Sequence, residues 1–172
     1  MKLLLDCHSH SSHSFDAKDS MSEMCKRAME LGLAVYAITD HCECQGYYSA
    51  DYYGKKPNKY EVFNFDEMTE ASITEACEIK EKLAGRLNLI CGVELGEATF
   101  DLAVAEKVVA DKRLDYVIGS MHQIPNEKDF YFWEFNEGNA ADTLDKYYKE
   151  IYKLCQWGKF DTLAHLTYPL IY

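Results

Sequence analysis

The feature that most constrains the fold is a repeated alternation of short apolar runs with longer helix-like stretches. Five apolar runs stand out, at residues 3–5, 34–39, 88–92, 116–119 and 162–166. They are apolar continuously rather than at every second position, which is typical of strands buried on both faces of a parallel sheet. Stretches with helical spacing fill the gaps, at 20–31, 65–84, 101–112 and 140–157. This alternation predicts an α/β fold with a parallel sheet.

Composition and charge narrow the class of protein. The 172 residues suffice for one domain with a substantial core. With 18 Lys and Arg against 29 Asp and Glu, the formal charge is −11, which argues against nucleic acid as a partner because that affinity depends on clustered basic residues. The absence of any run of eighteen apolar residues predicts no membrane span. Seven cysteines without a framework spacing indicate reduced thiols and predict a cytoplasmic protein.

Residues suited to metal binding follow each predicted strand. Five of the six histidines and one glutamate occupy such positions, with one aspartate shortly after the first strand: His8, His10, Asp16, His41, Glu94, His122 and His165. The carboxyl ends of strands in a parallel α/β barrel open on one face, where active sites are built. A single histidine after a strand is more often a hydrogen-bonded core or surface residue than a ligand. The shared placement of all these residues favours a joint metal site.

Spacing within the first motif supports the same interpretation. His8 and His10 are two residues apart, so an extended strand projects both rings from one face, toward one ion. Asp6 shares that parity, and we expect it to orient a ligating ring from behind, a role we also assign to Asp40. Glu94 supplies a carboxylate, which can bridge two cations as imidazole cannot. Nitrogen-rich sites with some carboxylate suit zinc, iron or manganese better than calcium or magnesium.

Five short motifs, in order along the chain, resemble those of the polymerase-and-histidinol-phosphatase (PHP) family. They are Asp6-Cys7-His8-Ser9-His10, Thr39-Asp40-His41, Gly92-Val93-Glu94, Gly119-Ser120-Met121-His122 and Ala164-His165-Leu166. The run from His122 through Asp129-Phe130-Tyr131-Phe132 is most similar to the histidinol-phosphatase branch. The resemblance covers essentially the whole chain. It implies a single PHP domain over residues 1–172, folded as a distorted parallel (βα)7-type, TIM-like barrel.

The resemblance also implies a cofactor of two to three divalent metal ions, zinc, iron or manganese. Each ion would have its own ligands, with Glu94 bridging the first two ions: His8 and His10 for the first, His122 and His165 for the second, Asp16 and His41 for a third. The implied substrate is a small phosphomonoester, in this branch histidinol phosphate. It would be hydrolysed to histidinol and phosphate by a metal-activated water, so no side-chain nucleophile is needed.

Three features near the predicted site leave alternatives open. His13 lies outside the ligand pattern and is a candidate to bind the substrate phosphate, with a solvated or capping role as the alternative. Cys42 and Cys44 suggest a structural zinc, but two further ligands with proper spacing are missing. Tyrosines crowd the long loop over 43–64 and predict either a substrate lid or simple packing of that loop: Tyr47, Tyr48, Tyr52 and Tyr53.

Two departures from the family pattern bear on completeness. The sequence lacks the late Asp-x-His motif, and the segment 166–172 contains no arginine after His165. Five strand–helix units can be counted, whereas a closed barrel of this kind needs about seven or eight. We therefore expect a barrel truncated after about five units. This predicts either a homo-oligomer in which a partner chain supplies the absent strands, or a longer protein.

Three functions remain open on the sequence alone. The branch resemblance favours a phosphomonoesterase acting on histidinol phosphate. A second hypothesis is a PHP phosphoesterase with another substrate, such as a nucleotide, a sugar phosphate or phosphotyrosine. The third is a non-catalytic metal-binding module, which the missing late ligands make plausible.

Overall fold

The computed structural model describes residues 3–44, 65–134, 136 and 138–171. Six strands occur in this part of the chain: β1 Leu5–Asp6, β2 Val35–Ile38, β3 His41–Glu43, β4 Leu89–Gly96, β5 Tyr116–Ser120 and β6 Thr162–Leu163. Four α-helices accompany them: α1 Met21–Glu30, α2 Phe65–Lys82, α3 Leu102–Val109 and α4 Ala140–Trp157. Two short 3-10 helices cover Phe130–Phe132 and Tyr168–Leu170.

All strand pairs in the described sheet are parallel. The order is β1-β2-β4-β5-β6, and β3 pairs with β4 beyond the end of β2. Strand β4 is the longest and lies at the centre, with β1 and β6 at the two edges of the sheet formed by the described residues. Because every strand runs the same way, all carboxyl ends point to one side. The predicted parallel α/β fold with about five strand–helix units is confirmed.

The helices begin and end at sequence signals that stop the backbone hydrogen-bond pattern. Ser20 and Glu23 form a reciprocal capping box at the start of α1. Gly158, with a φ of 66°, ends α4 in the left-handed conformation that glycine adopts without strain. In α4 the buried Tyr147, Ile151 and Leu154 recur at helical spacing against the core. Among the helices of the described residues, none has the length and hydropathy that a membrane crossing would need.

Two apolar cores hold the helices on the sheet. One joins β4 and β5 to α3 and α4, with Phe130 and Tyr147 fully buried at its centre. The other joins β2 and the start of β4 to α1 and α2, with Met21 and Ile38 among its buried residues. The polar side chains at the carboxyl-terminal end of β4 belong to neither core. This end of the strand carries the candidate site.

Strand boundaries differ from the sequence prediction in four places. The run predicted at 34–39 is followed by a separate strand, so His41 follows β2, as predicted, and is also the first residue of β3. Strand β4 continues to Gly96, so Glu94 also lies inside a strand. At the other end of the sheet, β6 stops at Leu163, and His165 lies beyond it with a φ of 20°. The run at 3–5 is exposed instead of buried, because β1 is an edge strand.

Asp40 lies in the break between β2 and β3 and anchors the elements around it. Its buried carboxylate accepts hydrogen bonds from the Ser11 backbone N–H at 2.5 Å and the Ser11 hydroxyl at 2.8 Å. The hydroxyls of Ser14 and Ser72 donate to it at 2.8 and 2.6 Å. The carboxylate therefore ties the loop after β1 and helix α2 to the start of β3. The residues of this loop include His10 and His13.

Replacing Asp40 with Ala should lower the free energy of unfolding by about 3 kcal/mol, because three hydroxyls and one N–H lose a buried acceptor. Urea denaturation followed by circular dichroism measures this. Asp145 is a matched control: its carboxylate contacts Lys149 at 2.5 Å on an exposed helix face, so Asp145→Ala should change stability little. Equal losses in the two variants would contradict the anchoring role of Asp40.

Candidate metal centre

The buried carboxylate of Glu94 lies at the centre of the site. Only 1% of its surface is exposed. Each carboxylate oxygen faces its own set of ring nitrogens: Oε2 lies 3.0 Å from His8 Nε2, 3.1 Å from His10 Nε2 and 3.4 Å from His41 Nδ1, while Oε1 lies 3.2 Å from His122 Nε2 and 2.8 Å from His165 Nε2. Five imidazoles thus surround one carboxylate and divide between its two oxygens.

The fold delivers these rings from both sides of β4. His41 on β3 is the direct register partner of Glu94, and β5 on the other side leads to His122. The loop after β1 is fixed by Ser9, whose hydroxyl donates to the Ala37 carbonyl at 2.6 Å and whose N–H donates to Thr39 Oγ1. Parallel pairing therefore converts residues far apart in sequence into neighbours of one carboxylate.

The described residues form four groups that could hold a cation, each with three ligand atoms within 4.8 Å of one another. They are His8, His10 and Glu94; His10, Asp16 and His41; Glu94, His122 and His165; and His41, Glu43 and His122. The first three groups contain all seven ligands predicted from the sequence. The structure therefore brings the predicted set together, and metal ligation by these residues stays a prediction.

The donor chemistry of the cluster fits transition-metal ions. Neighbouring histidine rings have centroids only 4.3 to 5.8 Å apart. The buried Nδ1 atoms of His10, His41 and His165 have no hydrogen bond. Buried polar atoms normally find partners, and rings packed this closely around a carboxylate are the arrangement that a cation of the zinc type stabilises.

Burial and charge act against each other on the ionisable groups. Burial would raise the pKa of Glu94, but hydrogen bonds from His10 and His122 outweigh it and hold this pKa well below the usual range. For His41 the effect of burial is the opposite and would lower the pKa, yet contacts with Asp16 and Glu43 raise it to about 10. The pKa of His122 is raised well above its ordinary value, against burial, by Glu43 and Glu94. Without a bound cation, both rings attract protons.

Two glutamates at the site, partly buried Glu43 and fully buried Glu97, were not predicted from the sequence. Glu43 on β3 lies 3.0 Å from His41 Nδ1 and 3.3 Å from His122 Nδ1. Glu97, just past β4, is fully buried with a φ of 50°, and its Oε1 accepts the backbone N–H of His122. Burial, together with the adjacent Glu43, raises the pKa of Glu97 well above its usual range. Parity could have indicated Glu43, since it is two residues from His41 on one strand.

The remaining predicted site residues lie around this centre. Asp6 accepts the backbone N–H of His8 at 3.3 Å, so it contacts the main chain of that residue, and ring orientation by Asp6 stays a prediction. Asp40 reaches the site through the serine network described above. His13 Nε2 lies 2.7 Å from Glu75 Oε2 on α2, and binding of substrate by His13 also stays a prediction.

The cysteines after His41 pack away from this centre. Cys42 and Cys44 are buried in an apolar core and belong to none of the metal groups that the described residues form. Burial raises the pKa of the Cys44 thiol far above its ordinary value, which disfavours the thiolate that zinc would need. The tyrosines predicted as a lid, 47, 48, 52 and 53, lie outside the described residues.

Comparison with known proteins identifies the family. The family model for the PHP domain matches residues 6–172, so the chain belongs to the PHP domain family, as its motifs predict. Two curated relatives, from Deinococcus radiodurans and Thermotoga maritima, carry the name "Probable histidinol-phosphatase". Each is 26% identical to this chain, over 169 and 170 residues. The alignments cover 96% and 98% of this chain but only 61% and 57% of the relatives.

A solved structure supports the fold. The crystal structure of histidinol phosphate phosphatase from Lactococcus lactis, complexed with zinc, L-histidinol and phosphate, matches this chain with a TM-score of 0.72. The identity is 20%, and the match covers 98% of this chain and 60% of that protein. At this level of identity the likeness establishes the shared fold. The chain spans about three fifths of the length of each of these proteins.

Metal binding should release protons, because the raised pKa values keep His41 and His122 protonated near neutrality and a ligating nitrogen must be free. Isothermal titration calorimetry of the metal-free protein with Zn²⁺ at about pH 7.5, repeated in buffers of different ionisation enthalpy, measures this. It should show release of about two protons in total. Affinity should rise with pH until His41 loses its proton, near its pKa of about 10. His41→Gln should release about one proton fewer. Identical heats in all buffers would contradict this expectation.

Proposed function

We propose that this chain carries the centre of a metal-dependent phosphomonoesterase that hydrolyses histidinol phosphate to histidinol and phosphate. The observation that carries the proposal is the placement of Glu94, with one buried carboxylate oxygen toward each of two histidine sets. A carboxylate in this position is suited to bridge two cations. The names of the relatives and the contents of the Lactococcus lactis structure support the choice of reaction and substrate.

The three sequence-predicted groups are the proposed binding positions for divalent ions, zinc, iron or manganese. Glu94 joins the first position, which has His8 and His10, to the second, which has His122 and His165. His10 joins the first position to a third, at Asp16 and His41. When bound, the ions would supply positive charge for the phosphate oxygens and activate a water for attack on phosphorus.

The chain's own residues have distinct tasks in this proposal. Glu94 keeps its negative charge while almost fully buried, so its side of the ligand positions is closed to water. His8 and His165 are about one-third and one-quarter exposed, and therefore line the open side from which a substrate can enter. His13 follows on the same loop as His10 and is held by Glu75. We propose that it contacts the outer phosphate oxygens.

Glu94→Gln should keep the fold, because the amide has the same shape, but should lose the charge that both metal positions share. We expect the zinc content of the purified protein to fall and phosphatase turnover to drop by about 100-fold or more. Elemental analysis and a phosphate-release assay measure the two effects. Glu106→Gln, which alters an exposed contact to Lys159, is the control and should match the parent. Turnover of Glu94→Gln within a few-fold of the parent would refute a bridging role.

Substrate choice is tested separately. Histidinol phosphate, a nucleoside monophosphate, a sugar phosphate and a phosphotyrosine peptide should be compared with added Zn²⁺, Mn²⁺ or Fe²⁺. The proposal expects histidinol phosphate to have the highest kcat/KM. A flat profile across the panel would leave a general phosphoesterase. Metal binding without turnover of any substrate would instead support a non-catalytic metal-binding module.

A further inference from the structure

Glu43 occupies a space that the backbone of β4 leaves open for it. The register of β3 and β4 places Glu43 opposite Gly96. A Cβ atom at position 96 would overlap Glu43 Oε2 and lie 2.7 Å from its Cδ. Any side chain larger than that of glycine at this position would therefore displace the carboxylate. Glycine at 96 lets Glu43 lie against the strand and direct its carboxylate into the cluster.

The Glu43 carboxylate contacts two histidines that come from different strands. Oε1 lies 3.0 Å from His41 Nδ1, and Oε1 and Oε2 lie 3.3 and 3.4 Å from His122 Nδ1. The His122 contact has hydrogen-bond geometry. The His41 contact is within hydrogen-bond distance, but neither His41 Nδ1 nor Glu43 Oε1 makes a hydrogen bond within the described part of the chain.

The opposite nitrogen of each ring already faces another group. His122 Nε2 lies 3.2 Å from Glu94, in the group with His165. His41 Nε2 lies 3.5 Å from Asp16, in the group with His10. A neutral imidazole carries one proton, so a ring that binds a cation through Nε2 must donate from Nδ1. Glu43 is the acceptor that both Nδ1 atoms meet.

We propose that Glu43 is a positioning residue: one partly buried carboxylate that accepts the Nδ1–H of both His41 and His122 and thereby presents the two Nε2 atoms to two different metal positions. This proposal rests on the metal centre proposed above, but not on the identity of the substrate. Carboxylates behind ligating histidines fix the tautomer and the ring orientation, and their loss costs metal affinity. The single Glu43 side chain serves two metal positions, so a change at Glu43 should weaken zinc binding at both.

The rival reading makes Glu43 a metal ligand, in the group with His41 and His122. The two readings differ in which ring nitrogen carries the proton. Long-range ¹H–¹⁵N spectra of the zinc-loaded, full-length chain report this directly for each of its six histidines. The proposal expects Nδ1–H with metal-bound Nε2 for both His41 and His122, assigned from His41→Gln and His122→Gln. Nε2–H with metal-bound Nδ1 in either ring would overturn it.

Affinity measurements test the same proposal without a spectrum. Glu43→Gln should weaken zinc binding by about 10- to 100-fold at two positions at once, measured by competition with a chromophoric chelator. Gly96→Ala should reproduce the loss while keeping every carboxylate, because it only pushes the Glu43 side chain aside. If Glu43→Gln fails to fold, Gly96→Ala and the spectra of the parent still decide. Retention of both affinities within about twofold in Gly96→Ala would overturn the proposal.

Glu75→Gln is the matched control. It also removes a glutamate–histidine contact, 2.7 Å from His13, but His13 belongs to none of the metal groups of the described residues. Zinc affinity should stay within about twofold of the parent. Both readouts are made on resting protein, so a chain that binds zinc as expected but hydrolyses no phosphoester would refute the proposed function and leave the role of Glu43 standing.

Discussion

A buried carboxylate needs compensation, and the whole carboxyl-terminal edge of the sheet is organised to provide it for Glu94. Taking an ionised carboxyl group out of water costs several kcal/mol unless partners replace the lost hydration. Here five ring nitrogens at 2.8 to 3.4 Å replace it. They lie on or just after four different strands, β1, β3, β5 and β6, so the parallel register is a condition for keeping Glu94 charged. The charge of Glu94 therefore depends on the same strand pairing that holds β4 in the sheet.

The polar network around Asp40 extends the same logic outward. A loop that carries His10 needs a fixed path, and backbone groups in such a loop need partners. The Asp40 carboxylate accepts hydrogen bonds from Ser11 and Ser14 in this loop and from Ser72 on helix α2. This network lies at the interruption between β2 and β3. The register against β4 continues unchanged across it, from Ile38 opposite Cys91 to His41 opposite Glu94, so the loop is anchored while His41 stays beside Glu94.

Sequence patterns were sufficient for the alternation of strands and helices and for the seven residues that converge. Both follow from short-range rules: apolar runs mark buried strands, and parallel strands share one open end. The exact ends of β3 and β4 were not predictable from apolar runs, because β3 and the end of β4 pair with each other although neither is continuously apolar. Glu97 carried no sequence signal: it lies past the end of β4 with a φ of 50°, and it is fully buried. Glu43 obeys strand parity with His41, yet its role depends on the missing side chain at Gly96.

Charge balance limits how many ions the centre needs before it can hold a phosphate. Asp16, Glu43 and Glu94 all have pKa values held below their ordinary range by neighbouring histidines, against burial, so all three are anionic near neutrality. If every imidazole of the cluster is neutral, one divalent cation carries less charge than these three carboxylates. A phosphate dianion would then meet a negative site on a chain whose formal charge is already −11. Two ions reverse the sign, because their combined charge exceeds that of the carboxylates. In the proposed phosphatase, the position of Glu94 between two histidine sets and the charge of the carboxylates with neutral imidazoles therefore both favour two ions.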